Sequence, residues 1–111
     1  MDVRTLKKNK EFNFVYRRGK PAGSRDMTLI CAKSRYGGVR VGFSVSKKVG
    51  NSVVRNRARR RMKEAYRTVL PELSGHYSLV FVARESIARA EFQEICAQMR
   101  KLMQRAGILS R

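Results

Sequence analysis

Between Tyr77 and Ala83 the chain reads Y-S-L-V-F-V-A, a nearly continuous apolar run that follows Ser74-Gly75. A strand turns successive side chains to opposite faces, so a run lacking polar alternates is a strand buried on both faces. Such a segment is expected at the centre of a sheet. Two shorter runs precede it, Met27 to Ala32 (MTLICA) and Arg40 to Ser46 (RVGFSVS), with Tyr36-Gly37-Gly38 between them. Rich in apolar and β-branched residues and separated by a turn signal, they are expected to form a β-hairpin.

Helical periodicity accounts for most of the remainder. Leu6, Phe12, Val15 and Tyr16 suit a short amphipathic helix from Leu6 to Arg18, ended by Gly19 and Pro21. In the middle of the chain, Gly50 breaks the strand pattern, and Asn51 or Ser52 can cap a helix that Pro71 ends. Along it Val54, Ala58, Met62, Ala65, Tyr66 and Val69 form one apolar stripe of about 120° when each residue turns by about 100°. Phe92, Ile95, Met99, Leu102 and Met103 repeat at helical spacing in a last helix from about Ala88 to Arg105. The expectation is one α+β domain, 1–111, with helices covering one face of a small sheet. Cys31 and Cys96 stand far apart with no CxxC pair, and His76 is the only histidine, so they are expected to be reduced thiols, mostly buried, and a turn residue.

The middle helix carries the sequence's strongest chemical signal. Five arginines occupy the seven positions from Arg55 to Arg61, and Glu64 is the only acid between Lys47 and Arg67. On a helical wheel that starts at Val54, Lys63, Asn56, Arg67 and Arg60 fall at about 180° to 240°, opposite the apolar stripe. Arg57 and Arg59 flank that face, and Arg55 falls at the apolar edge, from which it is expected to reach around to solvent. A solvated helix face normally mixes signs so that neighbours at i,i+4 attract; here they repel. Over the whole chain, 26 Lys and Arg stand against 8 Asp and Glu, a formal net charge of +18, which calls for a large polyanionic partner. No apolar run is long enough to span a membrane and no signal-peptide core is evident, so a cytoplasmic nucleic-acid binder is expected. Arginine's planar fork pairs with phosphate oxygens two at a time, which favours backbone contact.

The stretch V-G-F-S-V-S-K-K-V-G-N-S-V-V-R-N-R-A-R-R-R-M-K-E-A-Y-R, Val41 to Arg67, resembles the signature of the bacterial ribonuclease P protein family, including its Arg-Asn-Arg motif at Arg55-Asn56-Arg57. Leu6 to Tyr16 (LKKNKEFNFVY) is similar to the family's opening helix and Tyr77 to Arg84 to its last strand. The resemblance implies an αβββαβα order, ribosomal protein S5 domain 2-like, with a left-handed βαβ crossover where general rules favour the right-handed one. It also implies an extra strand near Lys20 to Arg25. It further implies a protein subunit that assists endonucleolytic removal of the 5′ leader of precursor tRNA, the catalytic centre and its Mg²⁺ ions belonging to a large RNA subunit. Lys47, Lys48, Asn51, Arg55, Asn56, Arg57, Arg59, Arg60, Arg61, Lys63 and Arg67 match positions that lie against that RNA. Phe12 and Tyr16 match the aromatic residues of a leader-binding cleft. At one cleft position where some members carry tyrosine this chain has Ile30.

The residues agree that the protein is not itself catalytic. RNA hydrolysis needs an activated nucleophile and stabilised phosphorane oxygens, usually from paired metals or histidines. No acid cluster with metal-ligand spacing is visible; Glu91 and Glu94 suit a helix dipole. Neither a small-molecule substrate nor a protein-bound cofactor is expected. The main rival reading is a structural RNA-binding protein of ribosomal type; a DNA-compacting protein and an autonomous nuclease are the others.

Overall fold

The structure is a computed structural model that describes residues 3–35 and 37–109. Three helices, α1 (Asn9–Arg18), α2 (Ser52–Arg67) and α3 (Phe92–Ala106), accompany four strands, β1 (Lys20–Gly23), β2 (Met27–Lys33), β3 (Val39–Ser44) and β4 (Tyr77–Ala83). Their sequence is αβββαβα, and the strands lie in the order β1-β2-β4-β3.

β4 is central, as its apolar run requires. It pairs antiparallel with β2, Leu29 opposite Phe81, and parallel with β3, Val41 opposite Leu79. The expected hairpin is therefore wrong: β2 and β3 are not neighbours, because β4 enters between them. A strand with two apolar faces gains more from the middle than β3 would, whose Arg40 and Gly42 offer little to bury. Gly37 and Gly38 belong to a loop, and Tyr36 lies outside the described residues. β1 is the strand that the family resemblance implied, though two residues shorter; its Lys20 and Pro21 suit an edge that must not recruit another strand.

Helices cover both faces of the sheet, not one. Leu79, Phe81 and Ala83 of β4 join Met27, Leu29 and Val41 in the main core, under Met62 and Tyr66 of α2 and Ile95, Met99 and Met103 of α3. Val80, on the opposite face, joins Ala32 and Val15 of α1 in a smaller core. The alternation that makes β4 apolar on both sides thus needs cover above and below. Phe43, Tyr66 and Phe81 pack with ring centroids 6.0 to 6.3 Å apart, two of the three contacts edge-on. Such contacts add about 0.5 to 1.5 kcal/mol each beyond burial.

The helix ends differ from expectation in instructive ways. α1 begins at Asn9, three residues late, because Leu6 belongs to an arm that runs beside β3: Leu6 N–H donates to Val41 O and Val41 N–H to Arg4 O, each at 2.9 Å. Glu11 Oε1 accepts from the N–H groups of Lys7 and Lys8, which fixes the turn into the helix. α2 begins where expected, with Asn51 Oδ1 accepting from Val54 N–H at 3.0 Å. α3 begins at Phe92, after a 3₁₀ turn from Glu85 to Arg89. Glu94 Oε1 accepts from Glu91 N–H at 2.9 Å, so this acid does cap a helix. His76 Nδ1 accepts from Gly38 N–H, a loop role as expected. Cys31 and Cys96 are free and half-buried, and burial pushes both thiols up.

Asp26 ties the β1–β2 turn to α3. Its side chain is 1% exposed and accepts from Gln98 Nε2 at 2.5 Å and Arg25 Nη2 at 3.1 Å, while Asp26 N–H donates to Gln98 Oε1. Burial opposes its ionisation, but the hydrogen bonds from Gln98, Ser86 and Arg25 outweigh burial and hold the carboxyl below its ordinary 3.8. A depressed carboxylate stabilises the fold above its unfolded pKa and loses that contribution as pH falls through the folded value. Asp26→Asn is expected to cost about 1 to 3 kcal/mol at pH 7. In denaturant titrations its gap from the unmodified protein should narrow below about pH 4; a gap independent of pH would contradict the charged role. Tyr66 presents a different case: its hydroxyl is buried with no partner among the described residues. Removing it in Tyr66→Phe should raise stability by about 1 kcal/mol, read as a higher Tm.

Candidate nucleic-acid interface

The chain enters α2 through a tight turn. After β3, a 3₁₀ turn (Lys47–Val49) exposes Lys47 and Lys48, and Gly50 follows with φ of 156°. A Cβ there would lie 2.9 Å from Cβ and Cγ1 of Val54, so the turn closes this tightly only with glycine. It sets Asn51 at the helix N-cap and brings the two lysines to the same end as the first arginines.

α2 then separates its residues as its periodicity demands. Ala58, Met62, Ala65 and Tyr66 are buried; Asn51, Asn56, Arg57, Arg60 and Arg67 are exposed; Arg55, Arg59, Arg61 and Lys63 are half-buried. The cations are not equivalent. Arg61 Nη1 donates to Ala90 O at 3.0 Å and so holds the loop that leads into α3. Arg59 Nη1 donates to Asn56 Oδ1 at 2.8 Å, and Arg67 lies 3.5 Å from Glu64. Arg55 does not simply reach out to solvent: Nη2 turns back to Ser52 Oγ, and Nε is buried without a partner. Arg57 and Arg60 make no ion pair or hydrogen bond among the described residues, which leaves both guanidinium groups with all five donors available.

One groove brings together four of the expected residues of α2 and Phe12 of α1. Asn56, Arg59, Arg60 and Lys63 form one wall, Thr5, Leu6 and Phe12 the other, and Val41, Gly42 and Phe43 of β3 the floor, enclosing about 460 Å³. Gly42 makes the wall possible: a Cβ at that position would lie 2.5 Å from Cε1 and Cζ of Phe12. Phe12 is half-buried and packs against Leu6, Val15, Ala32 and Val80, so it both supports the smaller core and edges the groove.

Tyr16 faces a separate hollow. It is 44% exposed and lines a surface depression of about 440 Å³ with Lys10, Asn13 and Arg17. Ile30 is half-buried beneath the end of α1, where its Cγ2 lies 2.5 Å from the place a Gly19 Cβ would take. Lys47, Lys48, Asn51, Arg55, Arg57, Arg61 and Arg67 lie along the helix or its entry turn, outside the groove.

Sequence reasoning missed a third basic surface. Arg4, Lys7, Lys8 and Lys10 from the arm and α1 join Arg40 of β3 around a hollow of about 750 Å³. Glu11 sits among them, 3.5 Å from Arg40 Nη1; its backbone hydrogen bonds from Lys8 and Lys7, then Arg40, hold its carboxyl below the usual range. Only the pairing of the arm with β3 brings these cations together, and no local signal announces it. Among the described residues, no three or more His, Cys, Asp or Glu gather where they could hold a metal ion. Among the described residues no helix is long and apolar enough to cross a membrane.

Residues 2–107 match the family model described as Ribonuclease P. The chain is 44% identical over 109 residues to the ribonuclease P protein component of Clostridium botulinum (strain 657 / Type Ba4), covering 97% of this chain and 98% of that one. It is 40% identical over 103 residues to the ribonuclease P protein component of Thermoanaerobacter sp. (strain X514), covering 93% and 89%. Among solved structures, the RNase P protein of Staphylococcus aureus superposes with a TM-score of 0.87 at 23% identity over 97% of this chain and 99% of that one. That of Thermotoga maritima gives 0.82 at 20% identity over 94% and 97%; at these identities both likenesses are of fold. The mixed four-stranded sheet, the arginine helix and the near-complete match to relatives of 40% identity or more together make this chain a member of the ribonuclease P protein family, the protein component of an RNA-containing endoribonuclease that processes tRNA.

Proposed function

We propose that the protein holds two RNAs side by side: the catalytic ribonuclease P RNA against α2 and its entry turn, and the 5′ leader of precursor tRNA against α1 and the sheet. The observation that carries this reading is the shared groove, where Phe12 stands across β3 from Asn56, Arg59, Arg60 and Lys63. An aromatic wall suits the π-face of an unpaired base, and a cationic wall suits phosphates. Lys47, Lys48, Arg57 and Arg60, all exposed, supply the docking charge for the larger RNA, and Asn51 caps the helix that carries the arginines. Arg61 acts less directly, through its hydrogen bond to Ala90 O that ties α2 to the loop before α3, while Arg55 and Arg67 also contact Ser52 and Glu64 within α2. The Mg²⁺ ions belong to the RNA partner in this reading, where they would activate water and stabilise charge on the phosphate. The protein's part is electrostatic: bringing two polyanions together costs repulsion, and a surface with net charge +18 offsets it.

The first test is cleavage of a precursor tRNA at low Mg²⁺ by the protein, by a bacterial ribonuclease P RNA, and by both together. Cleavage at the mature 5′ end that appears or accelerates only with both is expected; no gain over RNA alone would reject the reading. Engagement of about 6 to 10 phosphates should lower RNA-subunit affinity by about 10³ to 10⁵ between 50 and 200 mM salt. Arg57→Ala with Arg60→Ala should flatten the slope of log affinity against log salt by about 1 for each phosphate that is no longer neutralised. An unchanged slope would contradict backbone contact. Tyr16→Ala should weaken precursor tRNA binding more than mature tRNA binding; equal losses would count against leader stacking.

A further inference from the structure

Phe14 stands outside both cores. It is 37% exposed, belongs to neither apolar cluster and meets no other aromatic ring among the described residues. With a turn of about 100° per residue, it points about 160° to 200° away from Phe12 and Tyr16, onto the outer side of α1. A single exposed apolar side chain is ordinary on any protein surface. This one is set apart by its neighbours. Lys10 is four residues before it, Arg17 three after and Arg18 four after, the spacings that place side chains beside one another on a helix. All three are exposed, and none makes an ion pair among the described residues. The helix's one acid, Glu11, is engaged by Lys7, Lys8 and Arg40.

Lys10 and Arg17 also line the hollow beside Tyr16. The outer side of α1 is thus a cationic strip with an aromatic ring on each flank, Tyr16 on the side of the cleft and Phe14 on the far side. An unpaired RNA strand fits this alternation, its phosphates on the cations and its bases on the rings. We infer that the 5′ leader continues past Tyr16 around α1, and that Phe14 stacks on a leader base farther from the cleavage site than the bases beside Phe12. The inference rests on the proposed leader-binding role. Halfway round a helix about 10 Å across is a path of about 16 Å, so the nucleotide at Phe14 lies a few positions upstream of those in the groove.

The test compares precursor tRNAs carrying leaders of about 4 and about 12 nucleotides, bound by enzyme reconstituted with the unmodified protein, Phe14→Ala or Phe14→Tyr. Circular dichroism and RNA-subunit affinity of each variant establish that it is folded and assembled. Phe14→Ala should bind the short-leader substrate normally and the long-leader substrate about 5- to 100-fold more weakly, with Phe14→Tyr near the unmodified value. Unchanged binding of the long leader overturns the inference, and so does an equal loss with both leaders, which would place Phe14 against some other part of the complex. If the unmodified enzyme fails to distinguish even the short-leader substrate from mature tRNA, the leader reading falls and this inference with it. If it does distinguish them and Phe14→Ala has no effect, the leader reading stands and only the path around α1 is rejected.

Discussion

The burial of β4 on both faces governs the architecture. A strand that offers Leu79, Phe81 and Ala83 to one side and Val80 to the other cannot lie at an edge or beneath one layer. It takes the centre, which separates β2 from β3, and because β3 runs parallel to it the connection between them has to cross the sheet. α2 makes that crossing. The apolar stripe of the arginine helix is therefore held down by the main core, and its opposite face is left to solvent. α1 covers the other face near β2 and β4, and Phe12 reaches as far as Gly42 on β3. The groove lies between these two helices, with the arm that shields the edge of β3 forming part of its wall.

Charge placement follows a related logic. Glu11 and Glu94 accept helix N-terminal N–H groups, Asp26 anchors a turn, and Glu72 makes a two-pronged contact with Arg100 at 2.6 and 2.8 Å. These acids hold elements in place at sites away from the groove's cationic wall. Glu64, beside Arg67, is the acid that sits on α2 itself. The positive field over the α2 face is consequently almost uncompensated, and a partner with regularly spaced negative charge sees cations at helical intervals along one side.

What was legible in the sequence was local. The stripe from Val54 to Val69, the Asn51 cap and the apolar run of β4 each announce themselves within a few residues, and the structure places them as read except that α2 ends at Arg67, before Pro71, with Val69 buried just beyond it. Strand order is not local. MTLICA and RVGFSVS look like a hairpin because the turn between them is a good one, and nothing inside either run says that a strand 31 or more residues further on will enter between them. β1 is four residues of Lys, Pro, Ala and Gly, with no periodicity to detect; only likeness to a family suggested it. The same division holds for the site. The cationic face was visible on a wheel, but the hydrogen bond from Arg61 to Ala90 and the gathering of Arg4, Lys7, Lys8 and Arg40 depend on tertiary contacts.

The two aromatic residues of α1 that the family resemblance offers for leader binding are not equivalent probes of function. Phe12 is part of the smaller core, and its ring lies where only glycine at position 42 leaves room. Truncating it opens a void beside Val15 and Val80, so weaker RNA binding would mix a folding defect, worth about 3 to 5 kcal/mol for a fully buried ring and less here, with any missing stacking. Tyr16 is nearly half exposed and contributes to neither apolar cluster, so its truncation leaves the core intact. A ring that a fold needs for its own packing presents one edge to a ligand and is held rigidly; a ring outside the core presents more of its surface and must be ordered on binding. The groove and the separate hollow combine one of each kind along a single helix; under the proposed leader-binding role, the first would fix the path of a strand while the second adapts to whichever base arrives.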